Sequence, residues 1–170
     1  HFKRLYDLPS ARFDGLRQRH GLKTIISNAA ALAQPFKEQT VQHFGPGLLH
    51  ETYGSTEAGI VTNIRPEYIL HKPSSVGTPF IGMDVEIRRA DGSLCEPGEI
   101  GELFAKGPYT YNGYLNRPDA TAETLIDGWV TVQDLASKDE DGFITISGRR
   151  KDMVVSGGVN IYPAEIEAVI

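Results

Sequence analysis

Apolar positions change their spacing twice along the chain. Between Ser10 and His20, Phe13 and Leu16 lie about one helical turn apart, ahead of Gly21 as a terminator. Lys23 to Ser27 (KTIIS) is a short β-branched run that fits a buried strand. From Pro35, Phe36, Thr40 and Phe44 recur every fourth residue beside Val41, which predicts a helix that Gly45-Pro46-Gly47 stops. Leu48 to Tyr53 then predicts a second strand. Strand, helix and strand in that order make a β-α-β unit with parallel strands.

From about Pro66 the period falls to that of strands separated by turns. Asp84 to Ala90 alternates, with Val85 and Ile87 on one face, and Asp91-Gly92 is a hairpin turn. Ile100 to Lys106, Trp129 to Val132 and Phe143 to Ser147 are further strands, the last after Asp141-Gly142. This spacing predicts a small antiparallel β-barrel packed on the α/β part. Beyond Gly148 come Arg149-Arg150-Lys151 and the apolar Met153-Val154-Val155, which Gly157-Gly158 breaks. Pro163 begins a helix with Glu165 and Glu167 in its first turn. Its stripe of Ile166, Val169 and Ile170 is too short to bury alone, so the chain reads as a piece of something longer. An N-terminus without Met fits that expectation. The fold class is therefore α/β plus β, divided at 1–64, 65–148 and 149–170.

Composition narrows the functions. With 17 Lys+Arg against 22 Asp+Glu in 170 residues, the formal charge is −5, and no basic block interleaves with Tyr109, Tyr111 and Tyr114. That argues against nucleic acid as partner. The longest apolar runs are too short to span a bilayer, and the charged start HFKRLYDLPSARF is not a signal peptide. The single cysteine, Cys95, excludes an internal disulfide and fits a cytoplasmic setting. The five histidines, His1, His20, His43, His50 and His71, have no metal-site spacing.

Three segments carry chemistry. Tyr53-Gly54-Ser55-Thr56-Glu57 ends the second strand, where ligands of α/β sheets sit. Gly54 permits close backbone approach, the hydroxyls donate to phosphate oxygens, and Glu57 suits Mg²⁺. The same pentapeptide also reads as a turn capping a helix through Ser55 or Thr56. Asp134, in WVTVQDLA, offers two oxygens to a ribose diol or serves as a turn residue. In GRRKDMVVSGGVNIYPAEIE (Gly148 to Glu167), Arg149 forks onto a ribose or a carboxylate, or is solvated surface charge.

Taken in order, YGSTEAG, GELFAKGPYTYNGYLNRPDAT, GWVTVQD and GRRKDMVVSGGVNIYPAEIE resemble four blocks of the adenylate-forming (AMP-binding) superfamily. The resemblance runs from about Lys23 to Ile170, and the last block is most similar to that of acyl-CoA synthetases. It implies that a carboxylic acid is coupled to ATP with release of pyrophosphate, and that CoA then displaces AMP to form a thioester. It implies ATP/AMP, Mg²⁺ and CoA as cofactor and co-substrates, and the end of a large domain, a small β-barrel and the start of an α+β lid. By resemblance Thr56 contacts phosphate, Glu57 binds Mg²⁺ and Tyr53 lies against adenine. Gly54 and Ser55 belong to the same loop, and Ser27, Asn28, Ala29 and Ala30 form the opposite wall. Asp134 and Arg149 hold the ribose, Lys151 is the lid's hinge, and Gly157 and Gly158 approach the CoA arm. Asn28 and Gly59 to Thr62 border the acyl pocket. The chain departs from the family at Val132-Gln133, where Thr-Gly is usual, at Asn28 for Gly and at Ala31 for Pro. The family's phosphate loop is expected upstream of His1 and its catalytic lysine beyond Ile170, so the piece alone is expected not to turn over. A carrier-dependent adenylation domain and a non-catalytic nucleotide-binding module are the alternatives.

Overall fold

The computed structural model describes residues 2–156 and 159–161. The chain begins with helix α1 (Phe2–Tyr6), a 3-10 turn at Ser10–Arg12 and helix α2 (Leu16–Arg19). The helix expected from Ser10 to His20 is thus broken, because Gly15 takes a left-handed φ of 65°. Strand β1 (Ile25–Ser27), helix α3 (Gln34–Phe44) and strand β2 (Leu49–Ser55) follow. Pro35 sits in the first turn of α3, where its missing N–H costs nothing, and Gly45 ends the helix at φ 102°. β1 and β2 pair in parallel, Ile25 opposite Leu49 through Ser27 opposite Glu51. Their carboxyl ends therefore lie at one edge of the sheet.

β2 continues past Tyr53 to Ser55 and turns directly into strand β3 (Gly59–Ile64), which pairs antiparallel with it. No helix follows the Ser55-Thr56 pair. The Ser55 hydroxyl instead accepts the Ala58 N–H at 3.0 Å and closes the hairpin. β4 (Thr78–Pro79) adds to β3, giving the order β1-β2-β3-β4. Leu32, Leu49, Ile64 and Ile69 form the core on this side, with Ile25, Phe36 and Val41 packed against them.

The second sheet is antiparallel. It comprises β5 (Asp84–Arg88), β6 (Gly101–Lys106), β7 (Leu125–Ile126), β8 (Trp129–Val130), β9 (Asp134–Lys138) and β10 (Ile144–Arg149). Helix α4 (Pro118–Thr124) leads into β7. The expected barrel is an open sheet: β6 pairs with β5 along its length and with β8 and β9 at single ends, and β10 pairs with β9. Two-residue β7 and β8 are too short to supply the stagger that closure requires. Val85, Ile87, Leu103, Ala105, Val130, Ala136 and Ile144 build this core, which Ala58 and Val61 of the β2–β3 hairpin region complete.

A short crossing ties the sheets together. Gly77 bridges Ile144, and the Val76 and Ile144 N–H groups donate to the Ile144 and Gly77 carbonyls at 2.8 Å. A Cβ on Gly77 would lie 2.1 Å from the Asn63 carbonyl, so only glycine lets β10 approach β3 here. After β10, a 3-10 turn at Arg150–Asp152 leads to strands β11 (Val154–Ser156) and β12 (Val159–Ile161), an antiparallel pair. Gly157, Gly158 and the helix expected from Pro163 lie outside the described residues.

Candidate functional site

The edge formed by the carboxyl ends of β1 and β2 opens into a cleft of about 880 Å³, the largest among the described residues. One wall is the segment after β1, Asn28 to Ala31, and the floor is Glu51 to Thr56 of β2 and its turn. The second sheet supplies the far wall through Asp134, Ile146, Gly148 and Arg149, with Asp152 at the rim. Parallel pairing brings the two strand ends to one side, and the crossing at Gly77 carries β9 and β10 over them.

Asp134 is the polar centre. The residue is 8% exposed and opens β9, rather than lying in a turn after a strand. Its Oδ2 accepts the Tyr53 hydroxyl at 2.6 Å, and its Oδ1 lies 3.3 Å from Arg149 Nε. Arg149 stands opposite Asp134 in the β9–β10 register, beyond a bulge between Ile146 and Gly148 that re-aims the strand end. Burial first, and then the Asp134 charge, push the Tyr53 phenol far above its ordinary range, so it remains a donor. Arg149 is more than half exposed and is the solvent-facing partner of this trio.

The opposite wall is held by a buried carboxylate. Glu51 Oε1 accepts the Leu32 N–H at 2.7 Å, just beyond the Asn28–Ala31 segment. Its Oε2 lies 2.7 Å from Lys37 Nζ as a close charge pair without hydrogen-bond alignment, and Lys37 also donates to the Pro73 carbonyl at 3.1 Å. Within this wall Ala29 adopts a left-handed φ of 70°.

Of the residues singled out by sequence, Asn28, Ala29, Ala30, Tyr53, Gly54, Ser55, Thr56, Asp134 and Arg149 line this one cleft. Ser27 is buried behind it at the end of β1. Gly54 makes its close approach to protein rather than to the cleft: an added Cβ would lie 1.9 Å from the Gly59 carbonyl oxygen. Glu57 is not among the lining residues. It sits in the β2–β3 turn, and its carboxylate accepts the Tyr114 hydroxyl. That hydrogen bond holds the Glu57 carboxyl below its ordinary value and pushes the Tyr114 phenol up to about 12. Lys151 is exposed in the turn after β10 and does not line the cleft. Gly157 and Gly158 lie outside the described residues. Sequence reading missed Glu51, whose signal was a carboxylate at a buried strand position two residues before Tyr53, on the same face. It also missed the Tyr114–Glu57 contact, for which spacing of 57 residues offers no cue.

The donor set fits a nucleotide. A carboxylate with one oxygen still turned to the cleft can accept a ribose diol, and a neighbouring guanidinium adds a donor. Among the described residues no group of three metal-ligating side chains occurs, which leaves Glu57 as a single carboxylate. That suits Mg²⁺, which is held by one or two carboxylates together with phosphates and waters.

A sheet whose strand ends meet a second sheet around one buried carboxylate defines a ligand-binding α/β protein of the nucleotide-handling kind. The chain belongs to the AMP-binding enzyme family, whose model matches residues 2–115. It is 39% identical over 170 residues to the uncharacterized acyl-CoA ligase YhfT of Bacillus subtilis, covering 98% of this chain and 34% of that protein. It is 41% identical over 140 residues to a long-chain-fatty-acid–CoA ligase of Yersinia pestis, covering 82% of this chain and 24% of that one. Among solved structures it superposes on the O-succinylbenzoate CoA synthetase MenE of B. subtilis with ATP and magnesium, at TM-score 0.79 and 32% identity. That match covers 94% of this chain and 34% of MenE. The chain thus spans about a third or less of the relatives it matches.

Proposed function

We propose that this chain is the central part of an ATP-dependent acyl-CoA synthetase, an acid–thiol ligase that forms an acyl-adenylate and passes the acyl group to CoA. The observation carrying this reading is the Asp134 carboxylate, with Tyr53 and Arg149 on it, sharing one cleft with the Asn28–Ala31 segment. In this reading Asp134 accepts the ribose hydroxyls and Arg149 closes over the sugar. Tyr53 and Asn28 to Ala30 sandwich the base, with Ser27 supporting the wall. Ser55 and Thr56 donate to phosphate at the open end of β2. No covalent link to the protein is needed, so the chain's contribution is positioning and charge placement. Mg²⁺ held by Glu57 would supply neutralisation of phosphate charge. Lys151, at the turn after β10, is placed as the hinge of a lid domain starting at 149, with Gly157 and Gly158 in its CoA-facing loop. The divisions at 64 and 148 follow the change from the first sheet to the second. Among the described residues no helix is long and apolar enough to cross a membrane, and we place the protein in the cytoplasm.

The acyl substrate is a small-molecule carboxylic acid. The test is a CoA-thioester assay of the full-length protein by mass spectrometry, with ATP, Mg²⁺, CoA and a panel from acetate to palmitate plus aryl acids. The expected result is a thioester with one class of acid, lost in Asp134→Ala. Acyl transfer only to a phosphopantetheine carrier would replace the CoA reading, and no adenylation of any acid would refute the ligase reading.

A further inference from the structure

The residue before the central carboxylate is strained. Gln133 has φ 64°, the left-handed region that glycine enters freely and other residues enter at a cost. Hydrogen bonds close around it in a ring. Its N–H donates to Thr131 Oγ1 at 3.0 Å, and its carbonyl accepts the Arg150 N–H at 2.8 Å. The Thr131 hydroxyl donates to Glu102 Oε1 at 2.7 Å, and Arg150 Nη1 donates to Glu102 Oε2 at 2.7 Å. Thr131 is 2% exposed and the Glu102 side chain 14% exposed, so this ring is largely shielded from water on that side. It joins β6, the start of β9 and the exit of β10, where Glu102 pairs with Leu135 and Arg149 with Asp134.

Asp134 and Arg149 are thus the immediate neighbours of Gln133 and Arg150. We infer that Thr131, Glu102 and Arg150 are positioning residues: they clamp Gln133 in its left-handed backbone and so aim the Asp134 carboxylate into the cleft. Without the Thr131 hydroxyl, Gln133 loses its N–H acceptor and relaxes toward negative φ, turning the start of β9. Glycine at this position needs no clamp. The effect on ligand rests on the nucleotide reading of Asp134, whereas the clamp itself does not.

The experiment compares Thr131→Val, Gln133→Gly and the double variant in the intact protein. AMP binding is measured by calorimetry, and the Gln133 backbone conformation from ¹³Cα and ¹³Cβ chemical shifts of the unliganded protein. Thr131→Val is expected to weaken AMP binding about tenfold, ~1.4 kcal/mol, and to move the Gln133 shifts out of the left-handed range. In the Gln133→Gly background the same substitution is expected to change affinity less than about twofold, ~0.4 kcal/mol. A general loss of folding would not be rescued by Gln133→Gly, so equal weakening in both backgrounds overturns the proposal. Gln133 shifts that stay put in Thr131→Val overturn the clamp whatever AMP does. Asp134→Ala in the same assay separates the two ideas: unchanged AMP affinity there refutes the nucleotide reading, and the shifts alone then decide the clamp.

Discussion

Lys37 and Glu51 are both nearly out of contact with solvent, at 2% and 4% side-chain exposure, with Nζ and Oε2 2.7 Å apart. Lys37→Met keeps the volume and the helix propensity of α3 but leaves the Glu51 carboxylate buried and without its cation. Removing one partner of a buried pair costs about 3–5 kcal/mol, against a total domain stability of roughly 5–15 kcal/mol. Lys37→Met with Glu51→Gln removes both charges, and the amide oxygen still accepts the Leu32 N–H. That pair is expected to return to within about 2 kcal/mol of the starting protein, since buried pairs are replaceable by neutral groups at little net cost. The Lys37 donation to Pro73 is lost in both variants and accounts for about 1 kcal/mol. Urea unfolding with an unchanged slope is the assay, because a shift in midpoint alone reads stability. Raised salt is expected to leave the single-variant penalty in place, as the pair is not exposed to screening ions. A Lys37→Met penalty below about 1 kcal/mol, or a double variant no better than the single, would refute the reasoning.

Three further outcomes follow from the geometry. Gly77→Ala places a Cβ against the Asn63 carbonyl at φ 94° and is expected to cost about 3 kcal/mol or more, read as a lowered thermal midpoint; wild-type stability would mean that β10 can move away from β3. Asp134→Ala strips Tyr53 and Arg149 of their shared acceptor and removes the diol's partner, so AMP affinity is expected to fall by roughly 1.5–3 kcal/mol, about 10- to 150-fold, in a calorimetric titration. The Glu57 carboxyl is held low by the Tyr114 hydroxyl, so this hydrogen bond stabilises the fold above the ordinary carboxylate range and is lost as pH falls through the depressed value. Tyr114→Phe is expected to raise the Glu57 midpoint toward about 4.3 in a carboxyl ¹³C titration, and Glu57→Gln to bring Tyr114 down from about 12; an unmoved midpoint in either variant counts against the contact.

How much of this was legible beforehand differs by element. Local signals were enough where they matched the period of the final element: Pro35 and Gly45 bracket α3, and Val85 and Ile87 mark the buried face of β5. The short ordered motifs also identified nine of the residues that line the cleft. Local signals failed where a long-range partner sets the conformation. β3 and β9 were missed because their pairing partners, β2 and β10, satisfy backbone groups that the sequence leaves looking like turns. The barrel was expected from strand count, but closure depends on stagger, which strand lengths of two residues at β7 and β8 do not supply.

The sequence by itself determined the order of elements, the α/β-to-antiparallel change near Pro66 and the set of chemical groups on offer. Tertiary structure decided which of those groups meet. Asp134 reaches Tyr53 across 81 residues, and Glu102 reaches Arg150 across 48. Such pairs are created by sheet register and by one glycine crossing at Gly77, and neither quantity has a local period to read. The left-handed φ at Ala29 and Gln133 has the same origin: no residue there favours it, and hydrogen bonds arriving from distant strands impose it.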